Sequence, residues 1–148
     1  MKYFKIEEFR CKDGSVTPEE AKVNLTALVE NVLDPVRERY GAAIHVNSGY
    51  RTEAYNKKIG GANGSQHCCK NGSAAADICA VHSGFGCMAE WMNANLKIAK
   101  IIVELGKFDQ MILYPQFVHV SWKRQGGNRC QVLRKTATGY QKVDPSKI

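Results

Sequence analysis

The chain has 148 residues, of which 44% are hydrophobic and 24% are charged, and its formal net charge is +7. This length and composition allow a buried core, which excludes an intrinsically disordered protein and predicts a single domain over residues 1–148. No apolar run approaches the roughly 18 residues that a membrane-spanning helix requires, so a transmembrane segment is also excluded.

The N-terminal residues, Met1 to Glu8, are charged and contain no long apolar stretch. A secretory signal peptide needs an apolar stretch of about seven residues or more. We therefore expect a protein that is made in the cytosol without a signal peptide, and that leaves the cell by another route if it acts outside.

The first helix is predicted from its start signal and its apolar periodicity. Thr17 is expected as the N-cap, Pro18 as the first helical residue and Glu20 as the residue that closes a capping box. One buried face follows at helical spacing, formed by Leu25, Leu28, Val29, Val32, Leu33 and Val36. Gly41 is expected to end the helix, and Pro35 to bend or divide it.

The remaining elements are short, apart from one helix. The middle of the chain is predicted to form, in order, a strand over residues 43–48, a helix over 52–58 capped by Thr52, a loop over 60–65 and a strand over 74–81. A helix from about residue 86 to Leu105 could break near residues 93–95 and is expected to end at Gly106. Four strands are predicted last, over residues 110–114, 117–122, 129–135 and 140–143. Helices followed by strands indicate an α+β fold, with an antiparallel sheet and helices packed on one side.

The six cysteines include no Cys-x-x-Cys pair, which argues against a zinc ribbon or a thioredoxin-like site. Free cysteine packs well as a small hydrophobic residue. We expect reduced and mostly buried thiols.

Positive charge is concentrated at the C-terminal end. Residues 123–148 contain seven basic side chains and one acidic residue, Asp144. A basic segment favours a polyanionic partner, such as nucleic acid, an anionic membrane or cell-wall polymers, but it also serves solubility alone. No nucleic-acid-binding motif accompanies the charge, so no specific nucleic acid is predicted.

Three residues have donor types that suit a catalytic zinc site, namely His67, Asp77 and His119. Such a site has three protein ligands and keeps a fourth position open. His67 follows the glycine-rich loop, and Asp77 lies in an apolar strand, where a buried carboxylate needs a partner or a metal. His119 shares a strand face with Ser121. Each of these residues taken singly is more often structural, and the case depends on their surroundings.

Five segments that include these residues occur in a specific order. They are Ser48-Gly49-Tyr50-Arg51-Thr52, Gly60 to His67, Ala75-Ala76-Asp77-Ile78, Phe108-Asp109-Gln110 and Phe117 to Ser121. The series resembles the zinc D-Ala-D-Ala carboxypeptidase family, peptidase M15, in particular its phage endolysin and autolysin branch. The resemblance extends from Met1 to Arg134, which is nearly the whole chain.

The resemblance implies the fold shared by hedgehog proteins and DD-peptidases, zinc as cofactor with His67, Asp77 and His119 as ligands, and a peptidoglycan peptide as substrate. Arg51 is expected to stabilise the oxyanion or to clamp a substrate carboxylate, the alternative being a structural salt bridge. The residues expected to contact the substrate are Ser48, Tyr50, Ser65 and Gln66. We expect a monomer.

The chain departs from the family pattern at two places. Nine residues separate His67 from Asp77, three more than is usual in the family, so residues 68–73 are interpreted as an insertion in a loop. Three cysteines near this insertion could compete as soft metal ligands, namely Cys68, Cys69 and Cys79. In addition, Gln116 stands where the best-known branches have an acidic general base, and its amide cannot take up a proton. Three residues could substitute without matching the family spacing: Tyr114, Asp109 and Glu104.

The sequence therefore predicts a zinc metallopeptidase that cleaves peptidoglycan, either as a D-Ala-D-Ala carboxypeptidase or as an endopeptidase of the endolysin type. The alternative is a catalytically impaired, zinc-containing module that binds the cell wall, or a phage virion component. Action on the wall is expected after holin-type release or as part of a virion. A nucleic-acid-binding domain is a third reading that rests on charge alone.

Overall fold

The fold is α+β and is built on one six-stranded sheet, in a computed structural model that describes residues 1–148. The strands are β1 (Ile44–Ser48), β2 (Ser73–Ala80), β3 (Gln110–Leu113), β4 (Val118–Lys123), β5 (Gln131–Thr136) and β6 (Gly139–Lys142). The α-helices are α1 (Glu19–Leu28), α2 (Asp34–Tyr40), α3 (Glu53–Lys58) and α4 (Met88–Leu105). Short 3₁₀ turns cover Ile6–Phe9, Gln66–Cys68, His82–Gly84 and Pro145–Lys147.

The strands lie in the order β1-β2-β4-β3-β5-β6. Every neighbouring pair is antiparallel except β3 and β5, which run parallel. The prediction of an antiparallel sheet is therefore right for most of the sheet and wrong at this one junction. The reason is topological: β5 lies on the far side of β3 from β4, and residues 124–130 reverse the chain before it reaches that position.

The first helix begins one residue later than its sequence signal indicates. Pro18 has an extended backbone and acts as the N-cap, its carbonyl accepting a hydrogen bond from the Lys22 N–H at 3.0 Å. The predicted capping box of Thr17 and Glu20 does not form. Instead, the Glu20 carboxylate accepts a hydrogen bond from the Asn71 N–H at 3.0 Å, so a contact distant in sequence replaces the local one.

Pro35 divides the helix, as predicted. A π-helical segment, Val29–Leu33, joins α1 to α2, and the Asp34 N–H donates to the Val29 carbonyl one residue further back than in an α-helix. The wider turn accommodates a residue that lacks an N–H donor. Gly41 ends α2 in the left-handed conformation at φ 79°, which confirms the predicted stop.

Helix α4 is continuous over 18 residues, so the break considered near residues 93–95 is wrong. Asn95 is buried, and its Oδ1 accepts a hydrogen bond from the Ala80 N–H at 2.7 Å. Trp91 Nε1 donates to the Ala80 carbonyl at 2.8 Å. The polar side chain in the helix thus anchors the end of β2. No helix in the structure is both long enough and apolar enough to cross a membrane.

The hydrophobic core lies between one face of the sheet and the helices α1, α2 and α4, a packing consistent with the prediction. Alternation along β2 and β4 directs Ala76, Ile78, Val118 and Val120 into this core. The residues between them point to the opposite face of the sheet. The functional site is built on that second face.

Candidate metal centre

The pairing of β2 with β4 places Asp77 directly opposite His119 in the antiparallel register. Both side chains project from the sheet face that does not carry the core. His67 reaches the same point from the 3₁₀ turn that precedes β2. Ser65 accepts a hydrogen bond from the His67 N–H at 3.2 Å, and the His67 carbonyl accepts one from the Arg51 N–H at 2.8 Å. These bonds fix the turn that carries His67.

The three side chains converge on one oxygen atom. Asp77 Oδ1 lies 3.2 Å from His67 Nε2 and 3.0 Å from His119 Nδ1, and the two ring nitrogens are 3.2 Å apart. The exposed fractions of the three residues are only 3%, 6% and 8% for His67, Asp77 and His119. Their candidate ligand atoms all lie within 4.8 Å of one another, so this buried group could hold a metal ion.

The proton positions indicate that the group fits a cation. His67 Nδ1 lies 2.8 Å from the Gly49 carbonyl, which can only accept a hydrogen bond, so Nδ1 carries the proton. The lone pair on His67 Nε2 then faces the Asp77 carboxylate and the second imidazole. Such a concentration of lone pairs is favourable around a metal, and the carbonyl contact is the outer-shell support that a ligating histidine usually has.

The electrostatics leave Asp77 and His119 in the form that binds a metal. Burial acts to raise the pKa of Asp77, but its close contacts with His119 and His67 outweigh burial and hold the pKa below its ordinary value. Burial lowers the pKa of His119, which keeps its imidazole neutral near pH 7. An ionised carboxylate and a neutral imidazole are the states that metal ligation needs.

Arg51 contacts the other oxygen of the same carboxylate, with its Nη2 at 3.2 Å from Asp77 Oδ2. Its Nε donates to Ser48 Oγ at 3.1 Å and its Nη1 to Asn56 Oδ1 at 3.3 Å. The guanidinium has five N–H donors, so two remain available. Arg51 therefore forms the salt bridge considered in the sequence analysis and still has donors for a substrate. Asn56 was not recognised from the sequence, because nothing local distinguishes it.

The glycine-rich loop packs closely on this support. A Cβ at Gly61 would clash with Asn56 Oδ1, the atom that accepts a hydrogen bond from Arg51. Asn56 Nδ2 in turn donates to the Ala62 carbonyl at 2.9 Å. The glycine is therefore required by the close approach of the loop to Asn56.

A cleft of about 890 Å³ opens over the three side chains. One side is the loop Ile59 to Gln66, and it brings Ser65 and Gln66 to the cleft, where the sequence analysis expects substrate contacts. The other side is formed by residues that follow His119, including Lys123, Arg129 and Tyr140. Lys123 could have been found from the sequence, because alternate residues of β4 share one face and Lys123 is four residues after His119. Tyr140 could not, because it reaches the cleft only through the parallel pairing of β3 with β5.

Three of the predicted site residues lie outside the cleft. Ser48 lies behind Arg51 and accepts its Nε hydrogen bond, which makes it a support rather than a substrate contact. Tyr50 is buried in the core, where burial raises its pKa, and its N–H donates to the Phe9 carbonyl. Gln116 is exposed in the turn between β3 and β4 and does not line the cleft. The structure therefore places these three residues outside the cleft lining, whereas Ser65 and Gln66 belong to it.

None of the three alternative general bases is an ionised carboxylate that lines the cleft. Glu104 is on α4 and pairs with Arg39 at 3.3 Å, away from the cleft. Burial raises the pKa of Asp109, but bonds from Arg129 outweigh burial and bring the pKa to about 2. Tyr114 lines the cleft, and burial together with a hydrogen bond to Tyr140 raises its pKa well above the ordinary value. Asp77 is the only carboxylate that lines the cleft.

The cysteines near the insertion do not join the metal-binding group. Cys69 Sγ donates to the His67 carbonyl at 3.4 Å, and burial raises its pKa to about 12, so the thiol stays protonated. Cys79 Sγ donates to Asn47 Oδ1 at 3.3 Å. All six cysteines are free in the structure and four of them are buried, which confirms that most of the thiols are buried.

The inserted residues form a turn that is anchored to α1. Cys69, Asn71 and Gly72 have φ angles of 53°, 55° and 76°, and Asn24 Nδ2 on α1 donates to the Cys69 carbonyl at 2.9 Å. The extra length is therefore absorbed between the candidate ligands His67 and Asp77 without moving either of them out of the group.

A comparison with known protein families decides the classification, since the family model described as peptidase M15 matches residues 2–121. The chain belongs to the peptidase M15 family. No curated protein matches it. In this M15 chain the match contains all three metal-binding candidates and ends two residues after His119, so β5 and β6 lie beyond it. Family membership and the buried His-Asp-His group together indicate a metallopeptidase.

Proposed function

We propose that this M15 chain is a zinc-dependent peptidase that cleaves a peptide bond in bacterial peptidoglycan. The observation that carries the proposal is the convergence of His67 Nε2, Asp77 Oδ1 and His119 Nδ1 beside an open cleft. The family membership supports a peptide substrate from the cell wall. The six-stranded, mostly antiparallel sheet is compatible with the hedgehog and DD-peptidase type of fold, which we include in the proposal.

Zinc is the proposed metal because its catalytic sites combine three protein ligands, often imidazole nitrogens and a carboxylate, with an open coordination position. Two imidazoles and one carboxylate meet that description, with the cleft on the open side. When bound, zinc supplies Lewis-acid polarisation of the scissile carbonyl and activation of water.

The protein's own residues would position the substrate. The two unused N–H donors of Arg51 are oriented by its three contacts and suit an oxyanion or a substrate carboxylate. Ser65 and Gln66 line the cleft beside His67 and offer polar contacts to the peptide backbone. The Tyr114 hydroxyl stays protonated and can donate a hydrogen bond to a reacting oxygen.

A second candidate function is supported by one specific observation, namely that the cleft has no carboxylate besides Asp77. That carboxylate is already held by two histidines and Arg51, so it is not free to accept a proton. A positioned general base typically contributes about a hundredfold to ten-thousandfold in rate. The alternative is therefore a zinc-containing module, or a virion component, that binds wall peptides and cleaves them slowly or not at all.

Digestion of purified peptidoglycan with the zinc-loaded protein separates the two candidates. Mass spectrometry of the soluble fragments would identify the bond and distinguish carboxypeptidase from endopeptidase cleavage. His119→Ala serves as the matched control without a complete metal group. Fragments produced by the native protein alone support the peptidase, whereas wall binding without fragments supports the binding module.

The proposal also concerns where and in what form the protein acts. A wall peptide as substrate implies action at the cell wall, and we propose that the protein arrives there through holin-type lysis or as part of a virion. We further propose that it is a monomer, which sedimentation of the purified protein would test.

A further inference from the structure

One end of the cleft contains two cationic side chains that the proposed chemistry does not use. His119, Ser121 and Lys123 alternate along β4 and therefore share the face that carries the metal-binding group. At about 3.3 Å per residue, Lys123 lies about 13 Å along the strand from His119. Lys123 and Arg129 both line the cleft, and their side chains are 40% and 47% exposed.

The anion beneath these two cations is Asp109, which is 0% exposed and does not line the cleft. Its carboxylate accepts four hydrogen bonds, three from Arg129 (from N, Nε and Nη2) and one from Gln66 Nε2, at 2.9 to 3.1 Å. A carboxylate has about four lone-pair sites, so these bonds saturate it.

Lys123 is therefore left without a hydrogen-bonding anion of its own. Its Nζ lies 3.7 Å from Asp109 Oδ1, beyond hydrogen-bond distance. One buried carboxylate thus faces two cations, and the cleft surface at this end is positive. The three N–H donors of the Lys123 ammonium group point to a negatively charged ligand.

We propose that Lys123 and Arg129 form a carboxylate-binding subsite of the peptidase, and that it selects peptides with an acidic side chain or free carboxylate away from the scissile bond. The inference rests on the proposed function and adds a substrate class to it. The Asp109 N–H donates a hydrogen bond to the Ser121 carbonyl at 2.8 Å, so Asp109 lies beside Ser121 of β4. The subsite therefore begins about two residues along β4 from His119 and ends at Lys123.

The distance between the subsite and the metal-binding group determines which carboxylate of a peptide can bind there. The subsite lies between about 7 and 13 Å from the metal-binding group along β4. An extended peptide covers about 3.3–3.6 Å per residue, so the recognised acid is two to four residues from the bond that is cleaved. A terminal carboxylate next to that bond would meet Arg51 instead.

The test measures binding and cleavage separately, with one pair of ligands. The ligands are a peptidoglycan stem pentapeptide with a free D-glutamate α-carboxylate and the same peptide with that group converted to a carboxamide. Calorimetry on the zinc-loaded full chain gives their dissociation constants, and chromatography of the products gives kcat and KM. Lys123→Gln removes the cation that has no hydrogen-bonding anion and leaves the four hydrogen bonds of Asp109 in place. Lys97→Gln, an exposed lysine on α4 with no ion pair, is the matched control.

The native protein and Lys97→Gln should bind the free acid about tenfold more tightly than the carboxamide, which corresponds to about 1.4 kcal/mol. The reason is that hydrogen bonds to charged groups are stronger than those between neutral groups. Lys123→Gln should abolish most of this preference and raise KM for the acid with kcat nearly unchanged. Equal binding of both peptides by the native protein, binding of neither, or an unchanged preference in Lys123→Gln would overturn the inference. Selective binding without cleavage would leave the subsite standing and count against the peptidase.

Discussion

The buried ion network around Asp109 gives the most quantitative prediction, through the substitution Asp109→Asn. The pKa of this carboxylate falls from 3.8 to about 2 on folding. A shift of that size corresponds to about 2 kcal/mol of stability at neutral pH. The amide keeps one acceptor but presents N–H groups to the donors of Arg129 and Gln66, which adds to the loss. We expect a total of about 2–3 kcal/mol, or roughly 5–10 °C in Tm.

The pH dependence distinguishes this cause from a general packing defect. A carboxylate whose pKa is depressed in the folded state stabilises the protein above its unfolded pKa of about 4 and loses that contribution as pH falls through about 2. The difference between the native protein and Asp109→Asn should therefore be full at pH 5 to 7 and should shrink as the pH falls from 4 to 2.

Urea unfolding followed by circular dichroism at pH 6 and pH 2.5 measures both quantities. A chelator is included throughout, so that loss of metal at low pH does not contribute. Glu19→Gln, an exposed side chain with only a 4.0 Å contact to Lys22, controls for the change in net charge. An Asp109→Asn protein as stable as the native one at pH 6, or a stability difference equal at both pH values, would refute the reasoning.

Three further predictions concern the metal, the general base and the basic segment. Elemental analysis should find about one zinc per chain, and both His119→Ala and Asp77→Ala should lose it, because each removes one of three ligands; full zinc in both variants would rule out this site. Gln116→Glu should change kcat on a wall peptide less than threefold or so, since a general base must lie within hydrogen-bond reach of its proton and Gln116 lies outside the cleft; a large acceleration would show that the turn moves into the cleft. Binding to anionic cell walls, measured by co-sedimentation, should weaken as salt rises above about 0.1 M, because screening reduces the attraction of the basic residues 123–148; salt-independent binding would contradict it.

The elements of this fold could be predicted from the sequence where one local pattern decides them. A continuous apolar run predicted β2 and apolar alternation predicted β4. Gly41 and Gly106 both end helices in the left-handed conformation, as expected. Local patterns failed where a distant partner intervenes. Glu20 binds the Asn71 N–H instead of its own helix start, and Asn95 binds the Ala80 N–H instead of breaking its helix.

In the candidate site, too, local patterns predict some residues, whereas others depend on contacts distant in sequence. His67, Asp77 and His119 could be selected by residue type and by the resemblance, but the register that sets Asp77 opposite His119 is a property of two strands about 40 residues apart. The position three residues before His119 suggested a catalytic role for Gln116, and the conformation of the turn places it in solvent. The ion network of Asp109, Arg129 and Lys123 joins side chains from three segments of the chain, so no local sequence pattern predicts it.

The parallel junction between β3 and β5 has a consequence for redesign of the protein. All three metal-binding candidates lie on β2, on β4 or on the turn before β2, whereas β5 and β6 form the outer edge of the sheet. The hairpin they form meets the rest of the sheet through one ladder, from Gln110–Gln131 to Leu113–Arg134. Its cleft-facing residues, such as Leu133 and Tyr140, can thus be diversified or exchanged for another hairpin of the same register while the strands that hold the metal-binding group keep their own pairing.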